Sequence, residues 1–161
     1  MTAITPCLWF DGKAEEAATF YASILPDSRV DSVHRAPADY PSGKAGDALT
    51  VEFTLCGRPF LGLNGGPQFQ FTEAISFSIA CADQSEVDRY WEALTAGGGE
   101  PGPCGWLKDR FGLSWQVVPK RLTQLLGDKD RGRAGRAMEA MMKMGKIDIA
   151  ALERAADAVP A

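Results

Sequence analysis

Thr5-Pro6-Cys7-Leu8-Trp9-Phe10-Asp11-Gly12 runs directly into Lys13-Ala14-Glu15-Glu16-Ala17-Ala18-Thr19-Phe20-Tyr21, and the same order of patterns returns at Ile75-Ser76-Phe77-Ser78-Ile79-Ala80-Cys81 and Asp83-Gln84-Ser85-Glu86-Val87-Asp88-Arg89-Tyr90-Trp91. Each begins with the two-residue alternation of a strand and passes into helical spacing. In the first, Ala14, Ala17, Ala18, Tyr21, Ile24 and Leu25 share one face and Pro26 stops the helix. In the second, Asp83 and Glu86 have capping-box spacing, and Val87, Tyr90, Trp91 and Leu94 stand at i, i+3, i+4 and i+7. An offset of 70 residues lays Glu16 on Glu86, Phe20-Tyr21 on Tyr90-Trp91 and Pro6 on Ser76. The chain therefore contains an internal repeat.

Outward from each helix the strand signals are also alike. After the first they fall at Arg29 to Arg35, Ala48 to Cys56 and Arg58 to Leu63, with a Pro/Gly-bearing connection from Pro37 to Gly46. After the second, Gly97-Gly98-Gly99 ends the helix, and short strands are expected at Glu100 to Cys104, Trp106 to Lys108 and Leu113 to Val118. The expected fold is α+β: two paired βαβββ modules, residues 1–66 and 73–119, forming one domain over 1–119. Each module leaves a curved four-stranded sheet with one apolar face, and pairing them buries both and leaves a concavity as the pocket. Residues 120–161 form a C-terminal helical extension, with helices expected at Arg131 to Lys146 and Asp148 to Asp157. Met138, Met141, Met142 and Met144 dock it on the domain or a second subunit, or offer an adaptable binding face.

With 45% hydrophobic residues among 161, the chain can bury a sizeable core. A net charge of −4 argues against a nucleic-acid surface, which needs a concentrated basic stripe. No stretch approaches the roughly 20 apolar residues that span a bilayer, and Met1-Thr2-Ala3-Ile4 does not open a signal peptide. A cytoplasmic protein with no membrane partner is expected. Cys7, Cys56, Cys81 and Cys104 are scattered singly, which reads as reduced thiols rather than a zinc or redox motif.

Pro6-Cys7-Leu8-Trp9-Phe10-Asp11-Gly12-Lys13-Ala14-Glu15-Glu16-Ala17, then Phe20-Tyr21, resembles the opening of PhnB-like proteins, the "3-demethylubiquinone-9 3-methyltransferase" family of the vicinal-oxygen-chelate (glyoxalase/bleomycin resistance/dioxygenase) superfamily. Glu86 to Leu94, Cys104-Gly105-Trp106-Leu107-Lys108-Asp109-Arg110-Phe111-Gly112-Leu113-Ser114-Trp115-Gln116, and the tail from Arg136 to Ile149 also resemble family signatures. The resemblance implies the glyoxalase-like fold and a homodimer far more strongly than any reaction. In metal-dependent members of the superfamily the ligands come from the first and last strands of each module, positions that fall here near Pro6, Asn64, Ser76 and Gln116. Proline offers no ligand and neutral amides are weak donors, so no metal and no other cofactor is expected.

The pocket is expected to be lined by Leu8, Phe10, Asn64, Ser76, Ser78, Trp106 and Gln116. If Trp115 packs under the helix, Gln116 points into the concavity; otherwise it is a buried glutamine bonded to backbone. Asn64 is either a pocket residue or turn chemistry before Gly65-Gly66. Trp106 is either a stacking wall or a core aromatic. Glu52 is a candidate general base or a solvated carboxylate, and Cys104 a candidate nucleophile or an inert thiol. His34, the only histidine, and the Asp109-Arg110 turn read as surface and local structure. Three functions stay open: a metal-free protein that binds a small organic molecule, an enzyme (the methyltransferase of the family label, or a metal-dependent lyase or dioxygenase), and a dimeric interaction protein with a vestigial pocket. Neither Gly97-Gly98-Gly99 nor Gly65-Gly66-Pro67 sits between a strand and a helix, where a nucleotide-type methyl donor is commonly held.

Overall fold

In the computed structural model, which describes residues 1–159, the N-terminal alternation becomes β1 (Cys7–Phe10), with Leu8 and Phe10 buried and Cys7 exposed. Gly12, at φ 74°, turns the chain into α1 (Ala14–Ile24), whose buried Ala14, Ala17, Ala18 and Tyr21 form the expected face. Small side chains let this helix lie close on its sheet: a Cβ added at Gly62 would come within 3.1 Å of the Ala14 Cβ. β2 (Arg29–Arg35), β3 (Ala48–Leu55) and β4 (Arg58–Asn64) follow. The sheet order is β1-β4-β3-β2, parallel between β1 and β4 and antiparallel elsewhere. Val51, Phe53 and Leu55 join Leu8 and Phe10 in the buried core of this unit, Met1–Phe71.

The second unit, Thr72–Ala161, repeats the topology. β5 (Ser76–Cys81), α2 (Gln84–Thr95), β6 (Glu100–Pro101), β7 (Trp106–Lys108) and β8 (Ser114–Pro119) give the order β5-β8-β7-β6, again parallel only between the first and last strands. The Asp83 side chain accepts from the Glu86 N–H at 2.9 Å, while the Glu86 carboxylate reaches back to the Ala82 N–H at 2.7 Å. This is a capping box displaced by one residue. The expected strand at Glu100 to Cys104 is cut to two residues because Pro101 and Pro103 cannot donate to a ladder.

Beyond β8 the chain keeps packing on this unit. α3 (Lys120–Leu126), which the sequence reading passed over, starts directly after Pro119 and buries Leu122 and Leu125. α4 spans Arg131–Met141, shorter than the expected Arg131 to Lys146, because Lys143 and Met144 tighten into i→i+3 bonds to Ala140 and Met141 before Gly145. α5 is Ile149–Asp157, capped by Asp148. Leu122, Leu125, Ala137, Ile147, Leu152 and Ala156 form one buried cluster, with Met141 and Met144 against it. Met138 and Met142 remain exposed. Among the described residues no helix is long and apolar enough to cross a membrane.

Candidate functional site

The two halves do not match at a single offset, and this decides which side chains face outward. The first residues of α1 and α2, Ala14 and Gln84, correspond at the expected spacing, but the buried ends of the preceding strands are Phe10 and Cys81. Asp11-Gly12-Lys13 joins strand to helix in the first unit, and only Ala82-Asp83 does so in the second. A strand slipped by one residue exchanges its faces. Leu8 and Phe10 are therefore packed on the helix side, 6% and 4% exposed, rather than on the open face where the expected pocket put them.

Asn64 is held by local hydrogen bonds, although it also borders the hollow beside Trp9. It is buried, its Oδ1 accepts the Ala14 N–H at 2.9 Å, and its Nδ2 donates to the Ala48 carbonyl at 2.8 Å. Lys13 makes no side-chain cap for α1, so Asn64 performs that task from the end of β4. The residue that sequence reading missed is Trp9. It lies on the opposite face from Leu8 and Phe10, donates its indole N–H to the Gly66 carbonyl at 2.8 Å, and meets Phe69 edge-on. With Tyr40 and Leu63 it borders a hollow of about 460 Å³. The signal was Gly65, where a Cβ would fall 2.3 Å from the Trp9 ring.

The open face of the second sheet brings together the other four expected pocket residues. Ser78, Gln116 and Trp106 are neighbours across β5, β8 and β7, and Ser76, Ser114 and Lys108 form the adjacent row. Phe77, Trp115 and Leu107 alternate with them and face the other way; Trp115 and Leu107 are both 2% exposed. The Gln116 amide donates to Ser76 Oγ at 2.9 Å. Trp106, Lys108 and Ser114 of these rows border an open hollow of about 540 Å³, which Pro101, Pro103 and Cys104 also line. At its rim Lys108 Nζ is 2.5 Å from the Glu73 carboxylate. That contact raises the lysine pKa and lowers the glutamate's, so both stay charged at neutral pH. Cys104 lines the hollow at φ 58°. Its N–H is bound to the Met144 carbonyl, and no histidine is on the same unit to serve as its base.

Turn chemistry fixes these rows. Asp109, 2% exposed, accepts the Phe111 and Leu113 N–H groups through Oδ1 at 2.8 and 3.1 Å and the Trp115 indole N–H through Oδ2 at 2.8 Å. The turn from β7 to β8 is thus tied to the ring directly behind Gln116.

On the open face of the first sheet Glu52 has gained partners. Ser32 Oγ donates to its carboxylate at 2.5 Å and His34 Nε2 lies 3.2 Å from the same oxygen. Chiefly the Ser32 hydrogen bond, and after it His34, hold the Glu52 pKa below its ordinary value. A lowered carboxylate pKa stabilises the fold above the unfolded value, and that contribution is lost as pH falls through the folded one. Ser32→Ala is therefore expected to move the Glu52 titration upward, and by more than His34→Ala does, as read by carboxyl NMR across the acid range. An unchanged titration in both variants would show that the cluster does not persist in solution.

The donor set does not fit a divalent metal ion. Ser78 neighbours Gln116 in the second sheet as Cys7 neighbours Leu61 in the first, so the open-face counterpart of Gln116 is Leu61, which has no donor, rather than Asn64. Partial desolvation raises the pKa of the Cys7 thiol, even though the side chain is exposed at the surface. Among the described residues no three His, Cys, Asp or Glu side chains stand close enough to share a metal. Tight transition-metal sites need several imidazole, carboxylate or thiolate ligands converging.

Comparison with known proteins agrees with this architecture. A putative 3-demethylubiquinone-9 3-methyltransferase, PhnB protein, from Bacillus cereus is 33% identical, with 73% of this chain and 99% of that one covered at a TM-score of 0.64. A protein from Pseudomonas aeruginosa (20% identity, 74% and 98% covered, TM-score 0.60) and the fosfomycin resistance protein FosX from Mesorhizobium loti (14%, 79% and 98%, 0.54) share the fold. No curated protein matches. The family model for 3-demethylubiquinone-9 3-methyltransferase matches residues 2–118, ending before the Arg136 to Ile149 stretch whose resemblance the sequence suggested. With the repeated β-α-β-β-β topology, these matches place the chain in the 3-demethylubiquinone-9 3-methyltransferase, or PhnB-like, family.

Proposed function

We propose that this protein binds a small organic molecule, without a metal ion, on the open face of its second sheet. One observation carries the reading: Trp106, Lys108 and Ser114 line a largely apolar hollow of about 540 Å³, and their cross-strand neighbours Gln116 and Ser76, with Ser78 next to Gln116, extend the polar rows beyond it. Apolar walls supply affinity and a few polar groups supply orientation, which is the usual composition of a ligand site. The methyltransferase of the family description is the second reading. Against it, the Gly97 and Gly98 turns follow α2 rather than open a helix, and the turn from β1 into α1 has Gly12 alone. A homodimer belongs to this reading, with a sedimentation mass twice the chain's 17.3 kDa.

A thermal-shift screen of small aromatic and heteroaromatic molecules, with S-adenosylmethionine as a separate arm, tests the two readings. A ligand at one hundred times its Kd stabilises by about 2.7 kcal/mol. Gln116→Ala, which removes about 1 kcal/mol of hydrogen bonding, is expected to weaken that ligand roughly fivefold. Stabilisation by S-adenosylmethionine would favour the methyltransferase. No stabilisation by any compound would leave the small-molecule reading without support.

A further inference from the structure

We propose that the hollow beside β7 selects planar organic cations and rejects carboxylates and other anions of the same shape. The inference rests on the small-molecule reading above and names the ligand class of that site.

The walls set the shape. Trp106 lines the hollow, and Pro101 and Pro103 add to its apolar wall. A flat ring fills such a space with little loss of its own conformational freedom.

The rim sets the charge. Glu73, Glu100 and Lys108 are its ionisable side chains. Lys108 is paired with Glu73 at 2.5 Å, and Glu100 is the cross-strand partner of Lys108 in the β6–β7 ladder. Two carboxylates surround one ammonium, so the rim carries one net negative charge. A carboxylate entering the slot would have to displace Glu73 from Lys108 while lying near Glu100. A cationic ring meets no such opposition: Glu100 attracts it, and the electron-rich Trp106 face favours it again.

An independent observation points to a ligand in the same place. Ser114, in the row between Ser76 and Lys108, lines the hollow and is 1% exposed. Its Oγ is the one buried side-chain oxygen or nitrogen among the described residues with no hydrogen-bond partner. Buried hydroxyls are ordinarily paired, and a polar substituent on a bound ring would supply the missing partner.

Three probes of similar size separate the possibilities: N-methylquinolinium (cation), 2-naphthol (neutral) and 2-naphthoate (anion). Cys104 lines the hollow, whereas Cys7 and Cys56 are exposed elsewhere, so peptide-resolved iodoacetamide labelling reads occupancy of this site with internal controls. N-methylquinolinium is expected to slow Cys104 alkylation at least threefold with no change at Cys7 or Cys56, and 2-naphthoate to leave it unchanged. Glu100→Lys, on an exposed edge strand, is expected to reverse that order, and equilibrium dialysis of each probe should give the same ranking. Protection by 2-naphthoate equal to that by the cation would overturn the charge selectivity while leaving small-molecule binding intact. If no probe protects Cys104 or is retained in dialysis, yet the thermal-shift screen finds ligands that depend on Gln116, the assignment of this hollow fails. If that screen is also empty, the underlying reading fails with it.

Discussion

Asp109→Ala is expected to destabilise the second unit by about 3–5 kcal/mol, enough to lower its melting temperature by roughly 15 °C or more. The side chain is 2% exposed and takes three N–H groups, from Phe111, Leu113 and the Trp115 indole. Truncation leaves all three without their acceptor, and each buried orphan costs about 1–3 kcal/mol. Asp109→Asn distinguishes charge from geometry. If its oxygen stays with the two backbone groups, its NH₂ meets the Trp115 N–H donor to donor, so the amide restores only part of the loss. Urea unfolding followed by tryptophan fluorescence and a backbone probe checks both variants. A loss under 1 kcal/mol for Asp109→Ala would mean that water replaces the carboxylate and that the turn does not hold the register. The consequence reaches the proposed site, because that turn sets Trp106 opposite Gln116.

What the sequence could and could not show follows from the range over which each feature is determined. The repeat, both module helices and the capping box at Asp83 depend on residues within one or two turns of each other, and all are present. The Asp109 turn was legible as a turn for the same reason. Leu8 and Phe10 were assigned to the open face because alternation gives two faces without saying which carries the helix, and a connection one residue shorter in the second half exchanges them. Glu52 was recognisable as a carboxylate interrupting an apolar run. Its partners Ser32 and His34 lie twenty and eighteen residues away; a register shift in β2 between Val30 and Ser32 sets Ser32 opposite it, and His34, opposite Thr50, reaches it diagonally. Asn64 could not be read as a cap for α1, since its two hydrogen-bond partners are fifty and sixteen residues distant. α3 was missed for a more local reason: its seven residues span barely two turns, too few for a clear helical period, although a proline preceding the first turn is compatible with starting a helix.

Ile147→Ala is expected to cost about 3–4 kcal/mol, within the range for emptying a fully buried aliphatic site, and to loosen the proposed ligand hollow as well as the tail. Ile147 is 0% exposed in the cluster of Leu122, Leu125, Ala137, Leu152 and Ala156. Its side chain abuts Gly105, where an added Cβ would lie 3.1 Å from Cγ1, and its carbonyl accepts from Gln84 Nε2 at 3.0 Å. Just upstream, the Met144 and Gly145 carbonyls accept the Cys104 and Gly105 N–H groups, each at 2.8 Å. The segment after α4 thus braces the turn that carries Cys104 and Trp106 into the hollow, and it also contacts the start of α2. If it is integral in this way, Ile147→Ala should give a single unfolding transition at lower denaturant and faster Cys104 alkylation under native conditions. An independent appendage would behave differently, with the tail melting first and both Cys104 reactivity and the main transition unchanged. Residues 120–161 lie beyond the matched family region, 2–118, so the first outcome would mean that this chain supports its proposed site with a part the family model does not contain. Leu152→Ala separates the two effects: Leu152 shares the cluster but sits in α5, away from Gly105. It should therefore lower stability by a similar amount while changing Cys104 reactivity less than Ile147→Ala.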